Sequence, residues 1–413
     1  MMKTGKLTVV AFLLAFISVK YAGGTFQNGI DRFLEHDLQR YSSQRMGIVT
    51  NHTGVASDGR HLVDIIHFEK KGKITAIFSP EHGFRGDVAA GSKVGDMVDP
   101  KTGLKVYSLY GKTRKPTKEM LKNIDLMIFS VRDVGVRYYT YISTLYYIVQ
   151  ACGEAGIPVL VLDQPNILGG NYVDGPIVDE SLFSFIGITA LPMAHGMTIG
   201  ELALFFRDDI KNRFGTDCKV DVVQMEGYHR ETSFSETGLK WINPSPNLRS
   251  ELACLVYPGT CLLENTNVSE GRGSAEPFLI FGAPFIKNKT LKAAIEGFPG
   301  VTSVETIEYN PKSSSAVTNP KYEGKKCYGV KITGVNSTFE PVKFGFWLIE
   351  YLAKEYPGKF EIKDSGFNLM TGKKSVKPNL LKYGWKNLVS SYQKELEEFK
   401  IVREKFLLYT NSR

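Results

Sequence analysis

One arrangement, repeated four times, most constrains what this chain can fold into. Ile74, Ala76, Ile77 and Phe78 form a short apolar run that breaks at Ser79-Pro80 into Glu81, His82, Gly83 and Arg85. Met46–Val49 runs likewise into Thr50-Asn51-His52-Thr53-Gly54, and Leu126–Val131 into Arg132-Asp133-Val134-Gly135-Val136-Arg137-Tyr138-Tyr139. Pro158–Leu162 runs into Asp163-Gln164-Pro165-Asn166. Near-continuous apolar runs of this length suit strands buried on both faces of a parallel sheet. Pro80 and Gly83 favour a tight turn, which puts Glu81 and His82 where a strand empties into the crevice at its carboxyl end. A solvated strand-to-helix turn would explain any one of these sites, but four sets of polar groups at one sheet edge form a ligand crevice.

Between the strands, helical spacing predicts helices over 26–45 (Phe26, Ile30, Phe33, Leu34), 60–70, 141–155 and 200–213, with a further strand at 220–225. Pro116 marks the first turn of a short helix to Asn123, with Thr113 or Lys115 before it. The alternation describes an α/β fold, a parallel sheet with helices on both faces. Residues 87–115 read as a loop over the crevice or a small hairpin. Residues 238–286, broken by Asn243-Pro244-Ser245-Pro246 and Tyr257-Pro258-Gly259, read as a long stretch with few regular elements. From 287 the pattern changes to short helices (290–297, 342–355), two β-like runs (301–309, 328–335) and a charged amphipathic tail at 385–408. This predicts three segments: 1–22, a larger α/β domain with cleft loops over 26–286, and a smaller α+β domain over 287–413.

Composition narrows the function. The net charge of +8 is spread over interleaved acids and bases with no basic arm, which argues against nucleic acid. No G-x-G-x-x-G follows the first strand, and neither a P-loop nor a G-x-S-x-G elbow occurs, so no dinucleotide, nucleotide or acyl-serine chemistry is indicated. The cysteines at 152, 218, 254, 261 and 327 match neither a disulfide framework nor a zinc pattern. His52, His82, His195 and Asp133 lack metal-ligand spacing, although residues from separate strand ends can still converge. Lys3 and Lys6 precede an apolar stretch from Leu7 to Val19 and the small residues Ala22-Gly23-Gly24. That reads as a secretory signal, with a retained N-terminal anchor as the alternative.

The remaining chemistry is carboxylate chemistry. Glu81, Asp133, Asp163, Glu264, Glu270 and Glu276 offer proton donors and acceptors, while Tyr138, Tyr139, Tyr141 and Trp241 offer faces for a sugar. A glycosidase needs two carboxyls whose separation sets its stereochemistry, and a sequence does not give that separation. A non-catalytic saccharide-binding protein and a metal-assisted hydrolase use similar residues.

At these residues the chain resembles a known family. SPEHG (79–83), DVGVRYYTY (133–141), LDQPN (162–166), AHGMTIGELA (194–203), PSPN (244–247), YPGTCLLENTNVSEGRG (257–273) and PF..FGAPF (277–285) are similar to the exo-β-N-acetylmuramidase NamZ family. The likeness runs from about residue 45 to the C-terminus. It implies a Rossmann-like catalytic domain, a smaller C-terminal domain, a cleft between them and no cofactor. It also implies release of N-acetylmuramic acid (MurNAc) from the non-reducing end of peptide-free peptidoglycan fragments, outside the cytoplasm; removal of the 1–22 signal would leave no stable membrane insertion. Glu81 takes the place of the family's favoured catalytic residue, and Glu264 that of the glutamate after CLL. Asn265 stands where glycine is common.

The expected site therefore comprises Glu81 as general acid, His82 beside it (tuning the acid or packing the turn) and Glu264. Asn51, His52, Asp133, Arg137, Tyr138, Tyr139, Asn166, His195, Glu270 and Arg272 are expected to contact substrate. Arg137 or Arg272 would grip the lactyl carboxylate that distinguishes MurNAc from GlcNAc, unless they are tied up with Asp133 or Glu270. Tyr138 and Tyr139 would face a single sugar in a pocket closed at one end by 87–115 and 238–286. The oligomeric state is left open.

Overall fold

A computed structural model describes residues 26–86 and 95–412, so the 1–22 segment expected to be a secretory signal and part of the 87–115 loop lie outside the described residues. Seven strands make the main sheet: β1 (Arg45–Thr50), β2 (Lys73–Ser79), β3 (Met97–Val98), β4 (Lys105–Ser108), β5 (Leu126–Ser130), β6 (Val159–Leu162) and β7 (Val220–Val223). Their order is β3-β4-β2-β1-β5-β6-β7. All neighbours run parallel except β3, which pairs antiparallel with β4 as a small hairpin at the edge. This is the Rossmann-like α/β domain expected. From β1 the chain builds outward through β2 to β4, then returns to place β5 on the other side of β1. The resulting reversal of strand order leaves a crevice at the carboxyl ends of β1 and β5.

Consecutive apolar residues in the central strands serve opposite faces, as strand geometry requires. Met46, Ile48, Ile77, Ile128 and Leu160 pack on one side, with α3 (Leu62–Phe68) and the helical turns α1 (Gly29–Arg32) and α2 (Leu38–Tyr41). Val49, Phe78, Met127, Phe129 and Val161 pack on the other, under α4 (Lys118–Leu121), α5 (Tyr141–Ala155) and α6 (Ile199–Phe214). The helix expected from 26 begins at Gly29, because the Asn28 side chain accepts from the amides of Ile30 and Asp31, and it passes through a π-turn over Phe33–Asp37. Likewise α4 is capped by Thr117, not by Thr113 or Lys115, and Pro116 stands before the cap instead of inside the first turn.

The second unit is an antiparallel sheet, β8 (Ile280–Ala283), β9 (Val301–Tyr309) and β10 (Cys327–Val335), in the order β8-β10-β9. It carries α7 (Glu251–Thr260), α8 (Asn288–Glu296), α9 (Pro341–Glu355), α10 (Asp364–Thr371), α11 (Val376–Tyr383) and α12 (Trp385–Glu404). Strand β8 lies before residue 287, so this sheet draws on the segment assigned from sequence to the first domain. Helix α12 buries Leu388, Tyr392, Leu396 and Phe399, as its spacing predicts, but part of that face meets the first unit. Tyr392 donates to Asp174 at 3.0 Å, and the Phe399 ring lies 6.2 Å from Phe205 of α6. The core under β5 continues without a break into Val330, Phe344 and Leu388.

The largest departure from the sequence reading is α7, which fills part of a stretch expected to have few regular elements. Pro258-Gly259, read as turn residues, lies inside this helix. A Cβ on Gly259 would sit 2.2 Å from the Pro341 carbonyl oxygen, and one on Gly345 would sit 2.6 Å from the Gly259 Cα. The two glycines let α7 and α9 cross backbone to backbone, so Gly259 is set by packing and not by turn formation. Gly259→Ala is expected to lower unfolding stability by about 2–3 kcal/mol through overpacking. Equilibrium denaturation checks this, and an unchanged midpoint would contradict the crossing.

Candidate active site

The turn after β2 presents Glu81 half-buried, with His82 and Gly83 both in the left-handed region at φ 74° and 79°. That sharp reversal swings the His82 ring into the interior, edge-on to Tyr141 with centroids 6.5 Å apart. Glu81 Oε2 accepts from the Thr140 hydroxyl at 2.8 Å. Thr140 occupies the cap position of α5 but makes no side-chain cap bond, so its hydroxyl serves the glutamate instead. The Tyr110 hydroxyl, just beyond β4, also hydrogen-bonds Glu81; burial first, and then the Glu81 charge, push the Tyr110 phenol well above its usual range. Glu81 is thus oriented from two elements.

Tyrosines line the next layer. Tyr141 donates to the Pro244 carbonyl at 3.0 Å, while His52 Nε2 meets the Asn243 carbonyl at 2.7 Å. These contacts hold the Asn243–Ser245 loop over the end of β1. The Asn51 carboxamide oxygen is spent on Thr53, accepting from its amide at 2.9 Å and its hydroxyl at 2.7 Å. The Tyr139 and Tyr141 rings meet edge to face at 4.8 Å, and Tyr257 continues the stack to Phe278 at 4.8 Å.

Beyond β5, Asp133 accepts from the Gly135 amide at 2.7 Å, and its Oδ2 lies 3.6 Å from His195 Nε2. The Met197 amide donates to His195 Nδ1 at 3.2 Å, so a neutral imidazole carries its proton on Nε2, facing the carboxylate. Asn166 accepts from the Leu168 amide and donates to the Met197 carbonyl. A Cβ on Gly135 would strike the Asn166 side-chain oxygen at 2.2 Å, so Asn166 acts here as a brace for the β5 turn. Asp163 is buried and structural as well: it takes the amide of Gly200 and the hydroxyls of Thr198 and Tyr409, and burial raises it to about 7.

Two expected substrate contacts are corrected. Arg137 is fully buried and gives its guanidinium to the carbonyls of Pro176 (3.0 Å), Leu191 (2.6 Å) and Met370 (2.7 Å). It therefore pins α10 to the first unit and presents nothing to a ligand. Tyr138 is also buried, and its hydroxyl donates to the Pro258 carbonyl at 2.5 Å, inside α7. The strand-end pattern predicts a shared edge, but in DVGVRYYTY successive side chains diverge.

After α7, Glu264 receives Arg272 through Nη2 at 2.6 Å and Nε at 3.1 Å. Glu270 lies 3.6 Å from Arg272 and accepts from Lys321 at 2.9 Å. Although burial opposes its charge, Glu264 and Glu270 raise Arg272 further above the usual guanidinium range. Arg272 also acts electrostatically on Tyr110, so the Arg272–Glu264 pair lies in the neighbourhood of the Glu81 turn. Tyr110, Thr140 and Lys321 were not singled out from sequence; only the position of the first two at an element's end hinted at a role. All five cysteines are buried thiols. Among the described residues, no cluster of three His, Cys, Asp or Glu side chains could hold a metal ion. A separate cleft of about 530 Å³, lined by Leu168, Tyr172, Glu231, Glu251 and Phe339 among others, contains none of the expected site residues.

A half-buried glutamate at a sheet's carboxyl edge, backed by a layer of buried tyrosines, is the kind of carboxyl group that a glycosidase cleft requires. Family models agree: residues 46–251 match the N-terminal and 255–409 the C-terminal model of the exo-beta-N-acetylmuramidase NamZ, and the chain belongs to that family. It is 41% identical over 388 residues to the peptidoglycan beta-N-acetylmuramidase NamZ of Bacillus subtilis strain 168, covering 93% of this chain and 91% of that protein. Two crystal structures of DUF1343 family proteins from Bacteroides fragilis NCTC 9343, each 30% identical, superpose with TM-scores of 0.83 and 0.77. They cover 93% and 94% of this chain, and 99% and 100% of their own.

Because Arg137 bonds buried carbonyls, Arg137→Leu strands them, at about 1–3 kcal/mol for each unsatisfied group. We expect a loss of at least about 3 kcal/mol in denaturant unfolding. A variant of wild-type stability whose only defect is weaker substrate binding would restore the ligand role.

Proposed function

We propose that this protein is an exo-acting glycoside hydrolase that releases N-acetylmuramic acid from the non-reducing end of peptide-free peptidoglycan fragments. The observation that carries this reading is Glu81, fixed by Thr140 and Tyr110 at the mouth of the switch-point crevice in a chain of the NamZ family. Glu81 protonates the leaving glycosidic oxygen, and the Thr140 hydroxyl at its Oε2 sets the direction of the carboxyl group. Glu264, held by Arg272, is the second carboxylate. The buried Tyr139–Tyr141–Tyr257 stack packs behind the Glu81 turn and holds it in place. Asp133 and His195 support the floor from below. The apolar leader at 1–22 supports export across the inner membrane and a periplasmic site of action. Among the described residues, no helix is long and apolar enough to cross a membrane.

Glu81→Gln keeps the shape and removes the proton transfer, so kcat is expected to fall by roughly 10²-fold or more with the melting temperature retained. Near-normal kcat would exclude the role. Exo action is tested by time-resolved product analysis on a longer peptide-free glycan with MurNAc at its non-reducing end. Free MurNAc and a chain one sugar shorter are expected first. Early internal cleavage to disaccharides without free MurNAc would overturn the closed-pocket reading.

A further inference from the structure

MurNAc carries an anionic lactyl ether, and the cations nearest Glu264 and Glu270 are already committed. Arg137 is spent on three buried carbonyls. Arg272 is held between Glu264 and Glu270. Lys321 donates to the carbonyls of Leu263 and Val268 and to Glu270. Moving any of them to a substrate carboxylate would strand a partner in a poorly solvated place, which costs more than a new surface contact returns.

Arg114 is different. It lies on the segment leaving β4, the strand that carries Tyr110 to Glu81, and it is exposed. Among the described residues, no carboxylate or carbonyl accepts from its guanidinium. The group is nonetheless placed: its central carbon lies 4.2 Å from the centroid of the Phe185 ring. Phe185 stacks on Tyr147 at 6.3 Å with an interplanar angle of 11°, and it lies 6.1 Å from the Tyr110 ring. One aromatic step therefore separates Arg114 from the tyrosine that bonds Glu81. Stacking on a ring occupies the face of a guanidinium and leaves its in-plane N–H fork open, the geometry that receives a carboxylate through two hydrogen bonds. Seating over Phe185 also lowers the entropy that a long surface side chain would otherwise lose on binding.

We propose that Arg114, stacked on Phe185 beside the Tyr110–Glu81 pair, is the residue that binds the lactyl carboxylate of the substrate and so selects MurNAc over GlcNAc. This rests on the muramidase reading given above and names the specificity residue of the same site. A purely structural cation–π contact would hold the loop equally well, and only the substrate's charge distinguishes the two roles.

The test uses the full chain with an aryl β-MurNAc glycoside, its neutral lactyl-amide analogue, and free MurNAc as a competing product. Wild type, Arg114→Ala and Arg114→Lys are compared. For the MurNAc glycoside, Arg114→Ala is expected to raise KM about tenfold or more, with a smaller change in kcat, and to weaken inhibition by free MurNAc by a similar factor. Kinetics on the neutral amide should be alike in wild type and Arg114→Ala. Arg114→Lys, which keeps the charge but loses the fork, should fall between. Because the side chain is exposed, the melting temperature should stay the same, and the charged-to-neutral substrate ratio within each variant makes the comparison independent of any folding loss. An Arg114→Ala enzyme that still prefers the charged over the neutral glycoside by the wild-type factor overturns the assignment of Arg114 alone. A wild-type enzyme that does not cleave the MurNAc glycoside overturns the muramidase reading and this inference with it.

Discussion

The structure depends on one constraint: β1 must be flanked by β2 on one side and β5 on the other, all three parallel and buried on both faces. Strands of that kind cannot carry polar side chains along their length, so polar residues collect where the backbone leaves the sheet. The reversal of strand order at β1 opens the crevice at that same edge, and the sharp turn at His82-Gly83 directs Glu81 toward it. Thr140 at the start of α5 and Tyr110 beyond β4 then meet the glutamate from opposite sides. A carboxylate oriented by two partners before substrate arrives need not reorganise in the transition state.

The second unit brings a further charged cluster to the neighbourhood of the Glu81 turn. Glu264, Glu270 and Arg272 lie between α7 and β8, and Lys321 reaches them from the loop before β10. The core runs on from the β5 face into α9 and α12, while Arg137 and Arg403 donate to backbone carbonyls across the seam between the two units. The two units are thereby held in register by buried contacts.

The sheet was legible in the sequence because each central strand is an uninterrupted apolar run ending in a polar turn. Helices α5 and α6 were legible from their spacing and from Gly156 and Gly215, left-handed residues that end them. Helix α7 was not, because Pro258-Gly259 carries the local signal of a turn, while its actual constraint is Gly345, 86 residues further on. The position of Glu81 at a strand end could be read locally. The burial of Arg137 could not, since its acceptors lie 39, 54 and 233 residues away. Tyr110 and Thr140 illustrate the same limit: each is ordinary in its own segment and becomes informative only when the sheet brings both to Glu81.

The central claim is that one sugar is held at the switch-point crevice with its glycosidic oxygen at Glu81. The most direct measurement is a crystal structure of the Glu81→Gln protein with an intact MurNAc-GlcNAc disaccharide. The account predicts the MurNAc ring between the turns after β1, β2 and β5, and the bridging oxygen within about 3 Å of the residue-81 carboxamide. A disaccharide seated instead in the cleft between Tyr172, Glu231, Glu251 and Phe339, with residue 81 free of the sugar, would contradict it.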